Sequence, residues 1–115
     1  LRGLHYQSKP HEETKIVTCI SGEIFDVAVD LRKKSKTFMK YFGTNLSEKN
    51  KNILLIPKGF AHGYITLKKK STVVYLVDAK YNAKSEKGIR YSDKRINIKW
   101  PISPKYISKK DTNFK

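Results

Sequence analysis

Short apolar or alternating runs recur along this chain, each closed by a turn residue, and no long stretch holds a 3.6-residue period. That pattern excludes a helical bundle and leaves sheets. It predicts strands over residues 1–7, 15–20, 23–30, 38–46, 52–57, 60–67 and 72–80, the fourth interrupted by Gly43. Ser21-Gly22 reads as a hairpin turn, because two residues containing Gly between strand-like runs suit one. Lys68-Lys69-Lys70 reads as the turn of a second hairpin. In the third run, alternation puts Phe25, Val27 and Val29 on one face and Asp26 and Asp30 on the other. Past Lys80 the chain is polar and irregular, broken by Trp100-Pro101 and Ser103-Pro104, with room for a short helix near the C-terminus. Many short strands at this spacing predict an all-β sandwich or jelly-roll barrel, and small barrels can hold a ligand inside.

The bulk numbers narrow the class. At 115 residues, 1–115 reads as a single domain. Hydrophobic residues at 38% with seven Tyr and five Phe support a packed core rather than disorder. No apolar run reaches the length of a membrane span, so no membrane partner is expected. The chain opens directly in a strand without an initiator Met, which suggests that an N-terminal segment is absent. Cys19 is the single cysteine, so an internal disulfide is excluded and a cytoplasmic location is expected. Among Ile16, Val17 and Ile20 it reads as a buried strand thiol. The net charge of +15 comes mainly from 21 Lys against 4 Arg, spread through loops and ends. Nucleic-acid surfaces favour Arg clusters with aromatic partners, so no nucleic-acid partner is expected either.

Three histidines, one tyrosine and one lysine are the candidates for chemistry. His5 shares a strand face with Gly3 and Gln7, opposite Leu4 and Tyr6. It reads equally as surface decoration or as a general base lining a wet cavity. His62 sits in Pro57-Lys58-Gly59-Phe60-Ala61-His62-Gly63, and taken alone it reads as a hydrogen-bonded structural histidine. His11, in Lys9-Pro10-His11-Glu12-Glu13, reads as solvated. No His-x-His pair occurs, so no metal is expected. Tyr75 lies mid-strand, where packing is the ordinary role and proton donation requires a cavity. Lys15 either snorkels to solvent or, facing inward, stabilises an oxyanion.

Taken together, these strings resemble the dTDP-4-dehydrorhamnose 3,5-epimerase family. The resemblance is carried by Arg2-Gly3-Leu4-His5-Tyr6-Gln7, by Gly22-Glu23-Ile24-Phe25-Asp26-Val27-Ala28-Val29-Asp30-Leu31-Arg32, and by Ile56-Pro57-Lys58-Gly59-Phe60-Ala61-His62-Gly63. Glu86-Lys87-Gly88-Ile89-Arg90 and Ile107-Ser108-Lys109-Lys110-Asp111 follow in the family's order. Ile53 stands where that family commonly has Gln, and Tyr91 where it has Trp. The family's segment before Arg-Gly-Leu-His, about a third of its chain, is missing.

The resemblance implies a cupin-type antiparallel jelly roll with a short irregular or helical tail, working as a homodimer without a cofactor. By resemblance His5 is the general base, Asp111 the carboxylate that orients it, and Tyr75 the general acid. Arg2, Lys15, His62, Glu86 and Lys110 fall on substrate-binding positions, with Tyr81 near them. The implied activity inverts C3, C5 or both in a nucleotide-diphosphate 4-keto-6-deoxy sugar, for deoxysugars of lipopolysaccharide or capsule. Two other readings stay open: a non-catalytic sugar-nucleotide-binding barrel, and a single-carbon epimerase or ketoisomerase of the same fold.

Overall fold

The computed structural model describes residues 1–114. Among them eight strands form: β1 (Arg2–Gln7), β2 (Lys15–Ser21), β3 (Glu23–Asp30), β4 (Tyr41–Ser47), β5 (Ile53–Ile56), β6 (Phe60–Thr66), β7 (Thr72–Val77) and β8 (Glu86–Gly88). A short helix, α1 (Lys109–Thr112), follows, with Ser108 as its N-cap. One sheet has five strands in the order β4-β3-β6-β1-β8, and the other three in the order β5-β2-β7. Every pairing is antiparallel. The two sheets face one another as a jelly roll of the cupin type. Among the described residues no helix is long and apolar enough to cross a membrane.

Neither expected hairpin forms. β2 pairs with β5 and β7, whereas β3 pairs with β4 and β6. Ser21-Gly22 therefore carries the chain from the small sheet to the large one. The turn after β6 carries it back, since β7 pairs with β2 rather than β6. The two crossings run side by side. The Leu67 N–H donates to the Glu23 carbonyl at 2.8 Å, and the Glu23 N–H donates to Ser71 Oγ at 3.2 Å. Gly22 has φ of +79°, and a Cβ there would lie 2.4 Å from Ser71 Oγ and 2.6 Å from the Lys70 carbonyl. A side chain at this position would push the two crossings apart. Two further expectations change at their edges. β4 begins at Tyr41 because residues 31–39 form a turn, and β8 is a strand that the polar sequence after Lys80 concealed.

Period-two alternation sorts the core into two layers. Between the sheets lie Val17, Cys19, Ile24, Ala28, Leu46 and Ile56. Cys19 is buried there, as expected, and burial pushes its thiol up from the ordinary value. On the outer side of the large sheet Leu4, Val27, Val29 and Ala61 pack beneath Ile89, Ile96, Ile98 and Trp100. The irregular C-terminal stretch thus covers a sheet face. Both faces of β3 are consequently buried, and the Asp26 and Asp30 side points into the protein rather than to water.

Asp30 holds the turn after β3. Its carboxylate accepts from the Arg32 N–H and Nε, both at 2.9 Å, and from the Ser35 and Thr37 hydroxyls at 2.6 and 2.5 Å. The Arg32 guanidinium, seconded by these hydroxyls, holds the carboxyl well below the usual carboxylate range. A depressed folded-state value means that ionised Asp30 stabilises the fold above its unfolded-state pKa, and that this is lost on acidification. Asp30→Asn should therefore cost on the order of 3 kcal/mol at neutral pH. Urea unfolding at several pH values checks this: the gap between the two proteins should narrow below about pH 4. A gap that stays constant into acid would show that the charge is not what stabilises this turn.

Candidate active site

The inner layer is apolar at one end of the barrel and polar at the other. Along β2, Val17 and Cys19 face the core, and Lys15 continues the same face at the open end. Along β7, Val73 packs on that core, while Tyr75 and Val77 line a cleft of about 1150 Å³. Across from them, β1 supplies Arg2, His5 and Gln7 to the same cleft.

Close backbone approach sets β1 against β6. A Cβ on Gly3 would lie 2.6 Å from the Gly63 Cα, so both positions need glycine. This places His5 and His62 opposite one another in register. His62 lines a recess in the cleft floor, together with Arg2, His5, Lys15 and Tyr75. His5, Lys15, His62 and Tyr75 thus border one recess.

Each histidine is backed by a carboxylate. His5 Nε2 lies 2.6 Å from Asp111 Oδ1, and the Gly3 N–H donates to Asp111 Oδ2 at 3.1 Å. A carboxylate only accepts, so Nε2 carries the proton and Nδ1 keeps its lone pair. Burial pushes the Asp111 carboxyl up, but the hydrogen bonds from His5 and Gly3 outweigh it and leave the group below its ordinary value. Asp111 is reached from β1 because α1 folds the C-terminal segment back over the strand. His62 Nε2 lies 2.6 Å from Asp26 Oδ1, with Asp26 fully buried and its Oδ2 unpartnered among the described residues. His62 is thus both hydrogen-bonded and cavity-lining; the two readings are not exclusive.

Tyr81, Glu86 and Lys110 form a cluster on the cleft wall. The Tyr81 hydroxyl and the Lys110 ammonium both donate to Glu86. Lys110 first, then Tyr81, holds the Glu86 carboxyl below its ordinary value, and the same contacts raise Lys110 and Tyr81. All nine residues that the resemblance assigns to the site border the cleft or its floor.

Four residues in the cleft or packed against its side chains were not singled out. Asp26 is signalled by its place on an otherwise apolar strand, since a buried Asp requires a partner. Glu13 pairs with Lys15 at 3.4 Å, both mostly buried, where the sequence reads only as a polar loop. Phe114 packs edge-on to His5 with ring centroids 5.6 Å apart. Gln7 ties two loops together. His11, expected to be solvated, is half-buried instead: Nδ1 meets Ser85 Oγ at 2.8 Å and Nε2 meets Asn82 Nδ2 at 3.3 Å.

Comparison with known proteins decides the family. A family model described as dTDP-4-dehydrorhamnose 3,5-epimerase matches residues 1–115. The chain belongs to that family. It is 51% identical over 113 residues to the dTDP-4-dehydrorhamnose 3,5-epimerase of Shigella flexneri, covering 98% of this chain and 62% of that one. A Bacillus anthracis dTDP-4-dehydrorhamnose 3,5-epimerase structure with TDP and PPi bound superposes with a TM-score of 0.96 at 44% identity. That match covers 99% of this chain and 65% of the other. A Legionella pneumophila 3,5-epimerase structure in complex with dTDP-4-keto-L-rhamnose gives a TM-score of 0.92 at 43% identity, covering 96% and 58%. The chain therefore spans less than two thirds of the length of each of these relatives.

Proposed function

We propose that this cleft epimerises a nucleotide-diphosphate 4-keto-6-deoxy sugar through an enolate, as one step of deoxysugar synthesis in the cytoplasm. The observation that carries this reading is geometric. His5, backed by Asp111, stands on the large sheet, and Tyr75 stands on the facing small sheet, with one cleft between them. A sugar ring placed there would meet a base on one face and a phenol on the other.

The chemistry follows from that placement. The ketone acidifies the C–H bonds beside it. His5 Nδ1 takes one such proton, the C–H electron pair becomes the enolate C=C, and the carbonyl π pair moves onto oxygen. Lys15 and His62, at the floor, stabilise that oxyanion where it forms. The Tyr75 O–H then delivers a proton to the opposite face and the carbonyl reforms. One carbon is inverted, with no net gain or loss of electrons. Arg2, which lines both the cleft and its floor, suits the pyrophosphate, and the Tyr81–Glu86–Lys110 cluster suits the remainder of the nucleotide sugar.

The test is proton NMR in heavy water with dTDP-4-keto-6-deoxyglucose. Deuterium should enter at C3, C5 or both; entry at one carbon alone marks a single-carbon epimerase. Binding without any exchange would leave a sugar-nucleotide-binding barrel and defeat the catalytic reading.

The same proposal includes a homodimer. The outer face of the small sheet carries Ile16, Leu55 and Leu76 in one rung and Ile53 and Val74 beside Thr18 in the next. The five aliphatic residues are exposed, and no charged residue stands in either rung. A lysine-rich chain that keeps such a face apolar fits one that is covered by a second copy. Leu76→Glu should then lower the mass found by sedimentation from dimer to monomer. A wild-type protein that sediments as a monomer at all concentrations would refute the dimer.

A further inference from the structure

Gln7 closes β1 and is 6% exposed, at the back of the cleft. Both ends of its carboxamide are committed to loops. Nε2 donates to the His11 carbonyl at 2.7 Å and to the Lys80 carbonyl at 3.3 Å. Oε1 accepts from the Asn82 N–H at 2.8 Å. The carbonyl and the N–H thus held flank Tyr81 on either side. In register Gln7 stands opposite Glu86, the partner of both Tyr81 and Lys110. The loop after β7 has no strand of its own between Val77 and Glu86, and Tyr81 is 70% exposed. Asp78 and Ser85 tie the ends of this loop to Thr14, Ser8 and His11, and Gln7 holds the backbone on both sides of Tyr81 between them.

We propose that Gln7 is a positioning residue: its carboxamide bridges the 8–14 and 78–85 loops and so sets Tyr81 against Glu86 and Lys110 on the cleft wall. It acts through Tyr81 rather than through direct contact with the ligand: both Nε2 hydrogens and Oε1 are engaged by the two loops. Only a carboxamide of this length provides the donor and the acceptor together. The role rests on the reading of the cleft as a nucleotide-sugar site, and it predicts that Gln7 governs affinity rather than proton transfer.

The experiment has two arms. Hydrogen exchange reports the loop directly. Gln7→Met keeps the length and apolar bulk but loses all three bonds, so the Asn82 amide should lose protection while β2 and β3 amides keep theirs. Gln7→Glu keeps an acceptor for Asn82 but sets a carboxylate oxygen against two carbonyls, so the loop should open to a lesser degree. The second arm is dTDP affinity in a double-mutant cycle with Tyr81→Ala. Gln7→Met alone should weaken dTDP binding about tenfold, as expected for the loss of one or two net hydrogen bonds. In the Tyr81→Ala background it should have almost no further effect.

Additive losses in the cycle would overturn the proposal, as would unchanged Asn82 protection in Gln7→Met. If the wild type fails to bind dTDP, the reading of the cleft fails, while the exchange arm still decides what Gln7 does to the loop. Should Gln7→Met unfold, with β2 and β3 losing protection too, Gln7→Glu and the cycle built on it replace it.

Discussion

His5→Ala should abolish deuterium entry into the sugar, at every carbon that the wild type exchanges. Enolate formation is the first step, and without a base at His5 no later group has a carbanion to act on. A positioned base contributes roughly 10²–10⁴-fold, so the loss stands clear of background. The geometry adds a second expectation. Asp111 fixes the proton on Nε2 at 2.6 Å, which leaves Nδ1 as the basic atom. Asp111→Asn keeps the size but can present its amide to Nε2, which favours the other tautomer and turns the base away. Exchange should fall in that variant too, though less than in His5→Ala, because the imidazole is still present. The low-lying Asp111 carboxyl matters for pH dependence as well. A carboxylate held below its ordinary value stays ionised further into acid, so it goes on orienting His5 throughout the acid limb of the profile. Wild-type exchange by His5→Ala, in protein shown to bind dTDP, would remove His5 as the base and leave the cleft a binding site.

The sheets themselves were open to reading, and their pairing was not. Period two and frequent turns mark strands wherever they occur, so seven of the strands in the larger and smaller sheets follow from residues alone. A tight glycine turn, however, serves a hairpin and a crossing between facing sheets equally well. Gly22 is required by the neighbouring Lys70-Ser71 backbone, which lies far away in sequence. Residues 89–100 escaped for a similar reason. Ile89, Ile96, Ile98 and Trp100 reach the outer core from irregular backbone, which carries no period to detect. The site was readable where several short strings coincide and obscure where a polar residue gains its role from something opposite it. Glu13 looks like any loop acid until Lys15 is found 3.4 Å away. Gln7 looks like the polar end of a strand until two loops are seen to close on its carboxamide. His11 looks solvated until Ser85 and Asn82 arrive from 70 or more residues downstream.

Tyr75→Phe should separate exchange from inversion. Phenylalanine keeps the ring that Lys15 faces with Nζ 6.0 Å from the ring centre, so the wall of the cleft and its packing persist. Only the O–H is lost. His5, on the opposite sheet, can still remove a proton, and its conjugate acid exchanges with heavy water. It can then return deuterium, but only to the face from which it took the proton. The substrate should gain deuterium with its configuration retained, while inverted product falls roughly 10²–10⁴-fold. This outcome depends on the two groups standing on different sheets, and a pair on one strand would give no such split. Proton NMR reads both quantities from one sample: loss of the C–H signal measures exchange, and coupling constants around the ring measure configuration. Loss of exchange together with inversion would mean that Tyr75 is needed before the enolate forms, as an oxyanion donor rather than a proton donor. Full inversion at the wild-type rate would mean that another group, or water, protonates that face, and Tyr75 would then be only part of the wall.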